Sequence, residues 1–336
     1  MASLRSRSWF LLIGFLMFSS GLAALIALTY GATHISMNEI IHTLLNGQGT
    51  PAHSILYKIR LPRIILGFSV GGALSLSGVI LQGVFRNPLV EPYTLGISGG
   101  ASLGVCLAIV LNLTTATGII AYPIMGFFGA LLTIFIVYSI NARRGALKVQ
   151  GMLLSGVMIS FISSSIVMLL IALSTTEDLR NIIFWIMGSL DEPNELLIYS
   201  SVFCSIAGLL VAYIYSVELN ALSLGEEEAF SLGINTERTK KVLFVVASLL
   251  SGLSVAVTGI IGFVGLVIPH LMRMYTGNDH RILIVSSFLG GGLFLIICDT
   301  FARTIIAPLE LPVGVITGIV GGSLFIYALN KRSLNL

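Results

Sequence analysis

Five histidines (His34, His42, His53, His270 and His280) and three cysteines (Cys106, Cys204 and Cys298) are the residues of this chain best suited to metal or thiol chemistry. Their spacing supports neither. The histidines make no HxxxH or HExxH pattern, so no local metal site is expected. Each cysteine stands alone in an apolar stretch, with no CxxC partner, as a small hydrophobic side chain would. No Ser–His pairing suggests hydrolysis. What remains is three polar islands whose chemistry is charge and shape. Leu81 to Pro92 ends an apolar run with two prolines and the polar side chains of Arg86, Asn87 and Glu91; Gly262 to Arg273 is its shorter Gly/Pro-marked partner. Residues 218–241 mix Leu222, Leu224, Ala229, Phe230 and Leu232 with acids, and set Gly225 and Gly233 where helix caps belong. Arg60 and Arg63 flank Pro62, and Arg303 follows Asp299.

The elements that position these islands are set by composition. Of 336 residues, 56% are hydrophobic, only 10% are charged and 36 are glycine. Soluble domains carry about 25% charged residues. So few charges cannot cover a water-soluble surface, which excludes a soluble enzyme, a disordered chain and a nucleic-acid binder. A membrane-crossing helix needs about 20 apolar residues. Uncharged runs near that length are Trp9–Tyr30, Ile64–Phe85, Val149–Leu173, Leu196–Val217, Val242 to Gly259, Ile282–Cys298 and Leu311–Asn330. Pro92–Ala142 is long enough for two, with the polar break Asn112–Gly118 between them. Trp9–Tyr30 exceeds the roughly 7–15 residues of a signal-peptide core, so it reads as a retained span. Phe263–Met272 is a tenth, short piece whose length alone does not make a crossing. The expectation is an all-α, polytopic membrane helical bundle of about ten transmembrane helices, a single transmembrane domain over 1–336.

Cations set the orientation. With a cytoplasmic N-terminus, most of the 18 Lys and Arg lie inside, and only Lys58, Arg60, Arg63, Arg180 and Arg303 lie outside. Both termini are then cytoplasmic, as are residues 218–241. The outer arginines, held against the bias, either meet an acidic partner or snorkel from span ends. GxxxG pairs at Gly67/Gly71, Gly96/Gly100, Gly100/Gly104 and Gly318/Gly322 allow close helix packing inside the bundle or along a dimer seam. Ser77-Gly-Val-Ile80 followed by Leu89–Pro92 is echoed by Thr258-Gly-Ile-Ile261 followed by Leu266–Pro269, either an inverted repeat or chance. The Leu81–Pro92 island is either a plain turn or a constriction on a pathway.

Eight segments in order carry a resemblance: Leu61-Pro-Arg63, the glycine-rich run ending in Gln82, Arg86-Asn-Pro-Leu-Val-Glu-Pro92, Leu95–Ala101, Trp185–Gly188, Leu224–Gly233, Gly262–Arg273 and Leu311–Gly314. From about residue 60 to the C-terminus the chain resembles the FecCD family of ABC-importer permeases, which serve ferric siderophores, haem and cobalamin. The resemblance implies a cobalamin-permease-like fold and a second permease subunit, identical or different. It also implies two ABC ATPase subunits below and an extracytoplasmic substrate-binding protein above. ATP hydrolysis would reside in the ATPase partner, so the chain itself is not an enzyme and needs no cofactor. Coupling to the ATPase falls on Leu222, Leu224, Gly225, Glu226, Glu228, Ala229, Phe230 and Gly233. A cytoplasmic gate falls on Asn87, Pro88 and Leu89. A second gate falls on Lys148 and Val149, where the cobalamin permease has small hydroxyl residues, a departure from the pattern. Binding-protein docking falls on Arg60, Arg63 and Arg303. The expected cargo is an iron chelate, a ferric siderophore first, with haem or cobalamin as alternatives. An ion-coupled secondary transporter is the rival, but it needs an ionisable group near the bilayer midplane. The spans offer only Asp299, near an outer end.

Overall fold

The computed structural model describes residues 2–31, 33, 35–46, 50–142 and 149–333. Regular structure among them is entirely helical. Helices α1 (Ala2–Thr29), α2 (Met37–Asn46) and the one-turn α3 (Pro51–Ser54) lead through a π-helical stretch, Ile55–Arg60, into α4 (Leu61–Val84). After a 3-10 turn at Pro92–Leu95 come α5 (Ile97–Val110), the one-turn α6 (Thr114–Thr117), α7 (Ala121–Ala142) and α8 (Val149–Leu173). Next are α9 (Thr176–Met187), α10 (Glu195–Ile214) and two short helices, α11 (Ser216–Leu224) and α12 (Glu226–Ser231). The chain closes with α13 (Thr236–Thr258), α14 (Val264–Thr276), α15 (His280–Thr304) and α16 (Val313–Ser333).

Among the described residues, 7 helices are long and apolar enough to cross a membrane: α1, the continuous Pro51–Val84, α7, α8, α10, α13 and α15. Helix α5 and Val313–Ala328 of α16 are shorter apolar helices. With α14 they account for the ten apolar runs read from the sequence. The 13 residues of α14 rise about 20 Å, short of a hydrocarbon core of roughly 30 Å.

Helix α4 is the centre of the bundle. Its apolar stretch is 89% buried, against 78% for α15, 67% for α13 and only 17% for α8. It packs against α10, α13, α14 and α15 together. A helix enclosed on every side needs small residues wherever a neighbour's backbone comes close, and α4 supplies them as Gly, Ala and Ser. At Gly71 it crosses α15 backbone to backbone: a Cβ there would lie 2.3 Å from the Gly291 carbonyl oxygen, and a Cβ on Gly291 2.3 Å from that of Gly71. Gly100 and Gly129 join α5 to α7 the same way. These GxxxG glycines are consumed inside the subunit. Gly318 on α16 is the contrast, with nothing among the described residues within 4 Å of its Cβ position.

Gly291→Val should drive α4 and α15 apart and lower the unfolding midpoint of the detergent-solubilised protein, at a cost of at least about 1–3 kcal/mol. Gly318→Ala should shift that midpoint little. Equal shifts would refute the assignment of the α4–α15 crossing as the tight one.

Candidate coupling and gate sites

The connection between α10 and α13 folds as two helices joined at one residue. Gly225 is the joint, at φ 151° and ψ 158°, a region essentially confined to glycine. Helix α12 stops in a Schellman motif. Gly233 turns left-handed at φ 84°, its N–H donates to the Phe230 carbonyl at 2.9 Å, and the Ile234 N–H donates to the Ala229 carbonyl at 3.1 Å. Ile234 then closes over Ala221, Leu222 and Ala229, which pack together between the two helices. Asn235 caps α13 by accepting the Arg238 N–H at 3.0 Å. Buried Lys240, one turn on, pairs with Glu226.

The expected coupling residues therefore divide by role. Leu222 and Ala229 hold the helix pair together, and Gly225 and Gly233 shape its turns. Leu224, Phe230 and Leu232 stand 68%, 73% and 65% exposed. Glu226 and Glu228 lie in the first turn of α12, where a helix N-terminus favours negative charge, and the Glu228 carboxylate folds back over Gly225.

Helix α4 ends in the same motif without the glycine. Arg86 is left-handed at φ 48° and donates its N–H to the Gly83 carbonyl at 3.3 Å; the Asn87 N–H donates to the Gln82 carbonyl at 3.2 Å. Asn87 Oδ1 accepts the Leu89 N–H at 3.0 Å and tightens the turn. Pro88 and Leu89 are exposed and Asn87 is half-buried. Of the second gate pair, Lys148 lies outside the described residues, and Val149 opens α8.

Three side chains to which the sequence reading gives no role of their own fix this turn to the break between α13 and α14. Buried Gln82 donates through Nε2 to the Val90 and Gly265 carbonyls, both at 3.2 Å, and its Oε1 accepts from Arg273. Glu91 Oε1 accepts the Phe263 N–H at 2.7 Å. Burial pushes the Glu91 carboxyl above its ordinary range, and the Phe263 N–H pulls against that. The Tyr93 hydroxyl donates to the Ile261 carbonyl at 3.1 Å and accepts the Ile261 N–H at 3.3 Å. Thus the two Gly/Pro-marked islands lie side by side and satisfy each other's irregular backbone. The available signal was a polar residue at the end of each apolar run, where buried polar groups must find partners.

At the far end of α4, whose 24 residues rise about 36 Å, the expected docking arginines turn inward. Arg60, Arg63 and Arg303 are only 3%, 5% and 3% exposed. Arg63 Nε donates to Asp299 Oδ1 at 2.9 Å and its Nη1 to Glu310 Oε2 at 2.7 Å. Arg303 Nε lies 2.9 Å from the other Asp299 oxygen. Arg60 donates to the Leu28 and Thr33 carbonyls, tying the end of α1 to the start of α4. In this subunit the partners of these three cations are acids and carbonyls of the same chain. Desolvated guanidinium groups among helix ends take the nearest carboxylates. The solvent-facing member is Glu310, with its side chain 42% exposed.

Asp299→Ala removes the carboxylate that two buried arginines share, leaving Arg303 without its acid and Arg63 with Glu310 alone, and should cost about 3–5 kcal/mol. Glu310→Ala removes a partly exposed partner and should cost about 1 kcal/mol or less. Thermal unfolding in detergent reads both; a small loss for Asp299→Ala would deny the cluster a structural role.

Comparison with known proteins agrees with this architecture. The sequence profile of the FecCD transport family matches residues 19–331. The hemin transport system permease protein HmuU of Yersinia pestis is 39% identical over 328 residues, 96% of each chain. The cobalamin import system permease protein BtuC of Halobacterium salinarum is 39% identical over 283 residues, 84% of this chain and 75% of the relative. The molybdate import system permease protein MolB of Haemophilus influenzae is 35% identical over 287 residues, 84% of this chain and 83% of the relative. A solved structure, described as an inward-facing conformation of an ABC transporter assigned to the metal-chelate type, matches with a TM-score of 0.81 at 30% identity, over 96% of this chain and 99% of that one. A match that runs through nearly all of the bundle places the chain in the FecCD transport family, as a multi-pass permease subunit of an ABC importer.

Proposed function

We propose that this permease carries an iron chelate, a ferric siderophore, inward across the cytoplasmic membrane, receiving it from an extracytoplasmic binding protein and driven by two separate ATPase subunits. The observation that carries the reading is the exposed face of α11 and α12. Leu224, Phe230 and Leu232 stand out from a helix pair that Lys240–Glu226 and the Gly233 turn fix to the bundle. Apolar anchors beside a run of acids fit a groove on another protein. The positive-inside bias puts that face, with both termini, in the cytoplasm and the arginine cluster outside. The pathway lies against a second permease subunit, identical or related. Asn87, Pro88 and Leu89, with Lys148 and Val149, close it on the cytoplasmic side. An acid on the delivering protein reaches Arg63 by taking the place of Glu310.

A chelate suits the chain better than a bare cation. Asp299, the acid inside an apolar helix, is already neutralised by Arg63 and Arg303. Bare-cation carriers depend on ionisable groups free to meet the ion, near the bilayer midplane. Haem is the second reading, favoured by the extent of the match to the hemin permease.

Two experiments test this. Affinity capture of the tagged permease from solubilised membranes should recover an ABC ATPase, and Phe230→Asp should lose the ATPase while the protein still inserts. Capture of the chain alone, from membranes shown to preserve other complexes, would return the secondary-transporter reading. In a host deleted for the gene, uptake of radio-iron as ferric siderophore should fall to background and recover on complementation. Loss of haem or cobalamin uptake instead would replace the siderophore.

A further inference from the structure

We infer that Asn220 and His280 form the mechanical link between α11 and the gate turn at the end of α4, an inference that rests on the coupling and gate roles proposed above. Asn220 projects from α11 to the start of α15. Its Oδ1 accepts the His280 backbone N–H at 2.8 Å and meets His280 Nδ1 at 2.9 Å; its Nδ2 donates to Asp279 Oδ1 at 3.0 Å. The amide orientation follows from the network, because the backbone N–H can only donate and the carboxylate can only accept. Asn220 Oδ1 is therefore the acceptor for the imidazole as well, and the ring proton sits on Nδ1. Asp279 is itself braced: the Arg281 guanidinium, with the Asn220 amide, holds its carboxyl well below the usual carboxylate range.

The other edge of the ring points at α4. Nε2 is buried without a hydrogen-bond partner among the described residues, and a Cβ on Gly83 would lie 2.9 Å from it. The same Cβ would lie 2.9 Å from Leu219 Cδ2, one residue before Asn220. Helices α11, α15 and α4 thus meet at Gly83 with no room for a methyl group. Gly83 is also part of the gate turn, since its carbonyl accepts the Arg86 N–H. Its neighbour Gln82 holds Asn87 through its carbonyl and Val90 through its side chain. A shift of α11 carries Asn220 and the imidazole with it. The ring, abutting Gly83, displaces the carbonyls from which the turn at Asn87–Leu89 hangs. Asn220 and His280 are positioning residues in this scheme; neither touches cargo or nucleotide.

The test uses the full transporter, permease with its ATPase subunits, in proteoliposomes. Leu89→Cys, in a permease freed of Cys106, Cys204 and Cys298, reports gate accessibility by its maleimide labelling rate with and without ATP. Asn220→Ala removes the link, and His280→Phe keeps a ring against Gly83 and the backbone N–H bond to Asn220 but loses the imidazole bond. Both should hydrolyse ATP close to the unsubstituted rate, while the ATP-driven change in labelling falls at least about fivefold. An undiminished change in both variants overturns the link. Loss of hydrolysis and of subunit assembly together, in both, reduces the residues to a general structural role and also overturns it. No ATP-driven change in the protein with Asn220 and His280 intact would instead sink the coupling and gate reading beneath it.

Discussion

A helix that ends among other helices, away from water, must find partners for its last carbonyls and for the chain that leaves it. Helix α4 is in that position at Val84, and the organisation of this end of the subunit follows from how it is met. The Gln82 and Gly83 carbonyls take the N–H groups of Asn87 and Arg86. The departing segment is held by Gln82, and its own Glu91 and Tyr93 reach across to Phe263 and Ile261. Those two residues lie in the second break of the bundle, between α13 and α14, which has the same problem. Each break supplies the polar atoms the other lacks. The two irregular segments are therefore tied to each other by side-chain hydrogen bonds.

Charge is handled by the same rule at the opposite end. Five ionisable side chains, Arg60, Arg63, Asp299, Arg303 and Glu310, gather where α1, α4 and α15 finish or begin. Arg63 and Arg303 share Asp299, with an oxygen for each. Bringing charges out of water is repaid only where geometry and additional bonds are good. The cluster achieves this for Arg63, with two acids, and for Arg60, with two backbone carbonyls. It also cross-links helices that apolar packing alone, in a lipid solvent, would hold less firmly.

How far the sequence discloses all this depends on how local each cause is. Apolar runs such as Trp9–Tyr30 and Val149–Leu173 are legible because lipid thickness imposes their length. The α11–α12 pair is legible because its turns require Gly225 and Gly233, and glycine announces a left-handed or extended turn on its own. The fate of the arginines is not local. Arg63 meets Asp299 and Glu310, 236 and 247 residues away in sequence, so nothing beside Pro62 says whether its charge faces a partner or a neighbour. Gln82 is concealed in the same way, its partners being Gly265 and Arg273. Of the GxxxG pairs, the pattern marks which helices approach closely, but only the three-dimensional packing separates Gly100, pressed against Gly129, from the open Gly318.

The left-handed stops of α12 and α4 differ in one respect that bears on motion. Gly233 occupies its conformation without steric penalty, whereas Arg86 holds the equivalent one with a side chain, at roughly 1–2 kcal/mol. The stop at the end of α12 is relaxed; the stop at the end of α4 is cocked. A reversal of Arg86 to an ordinary backbone angle recovers that energy and partly offsets the loss of the two bonds that close the turn. The turn at Arg86 is thereby the softer of the two joints, and a load shared between them opens it first.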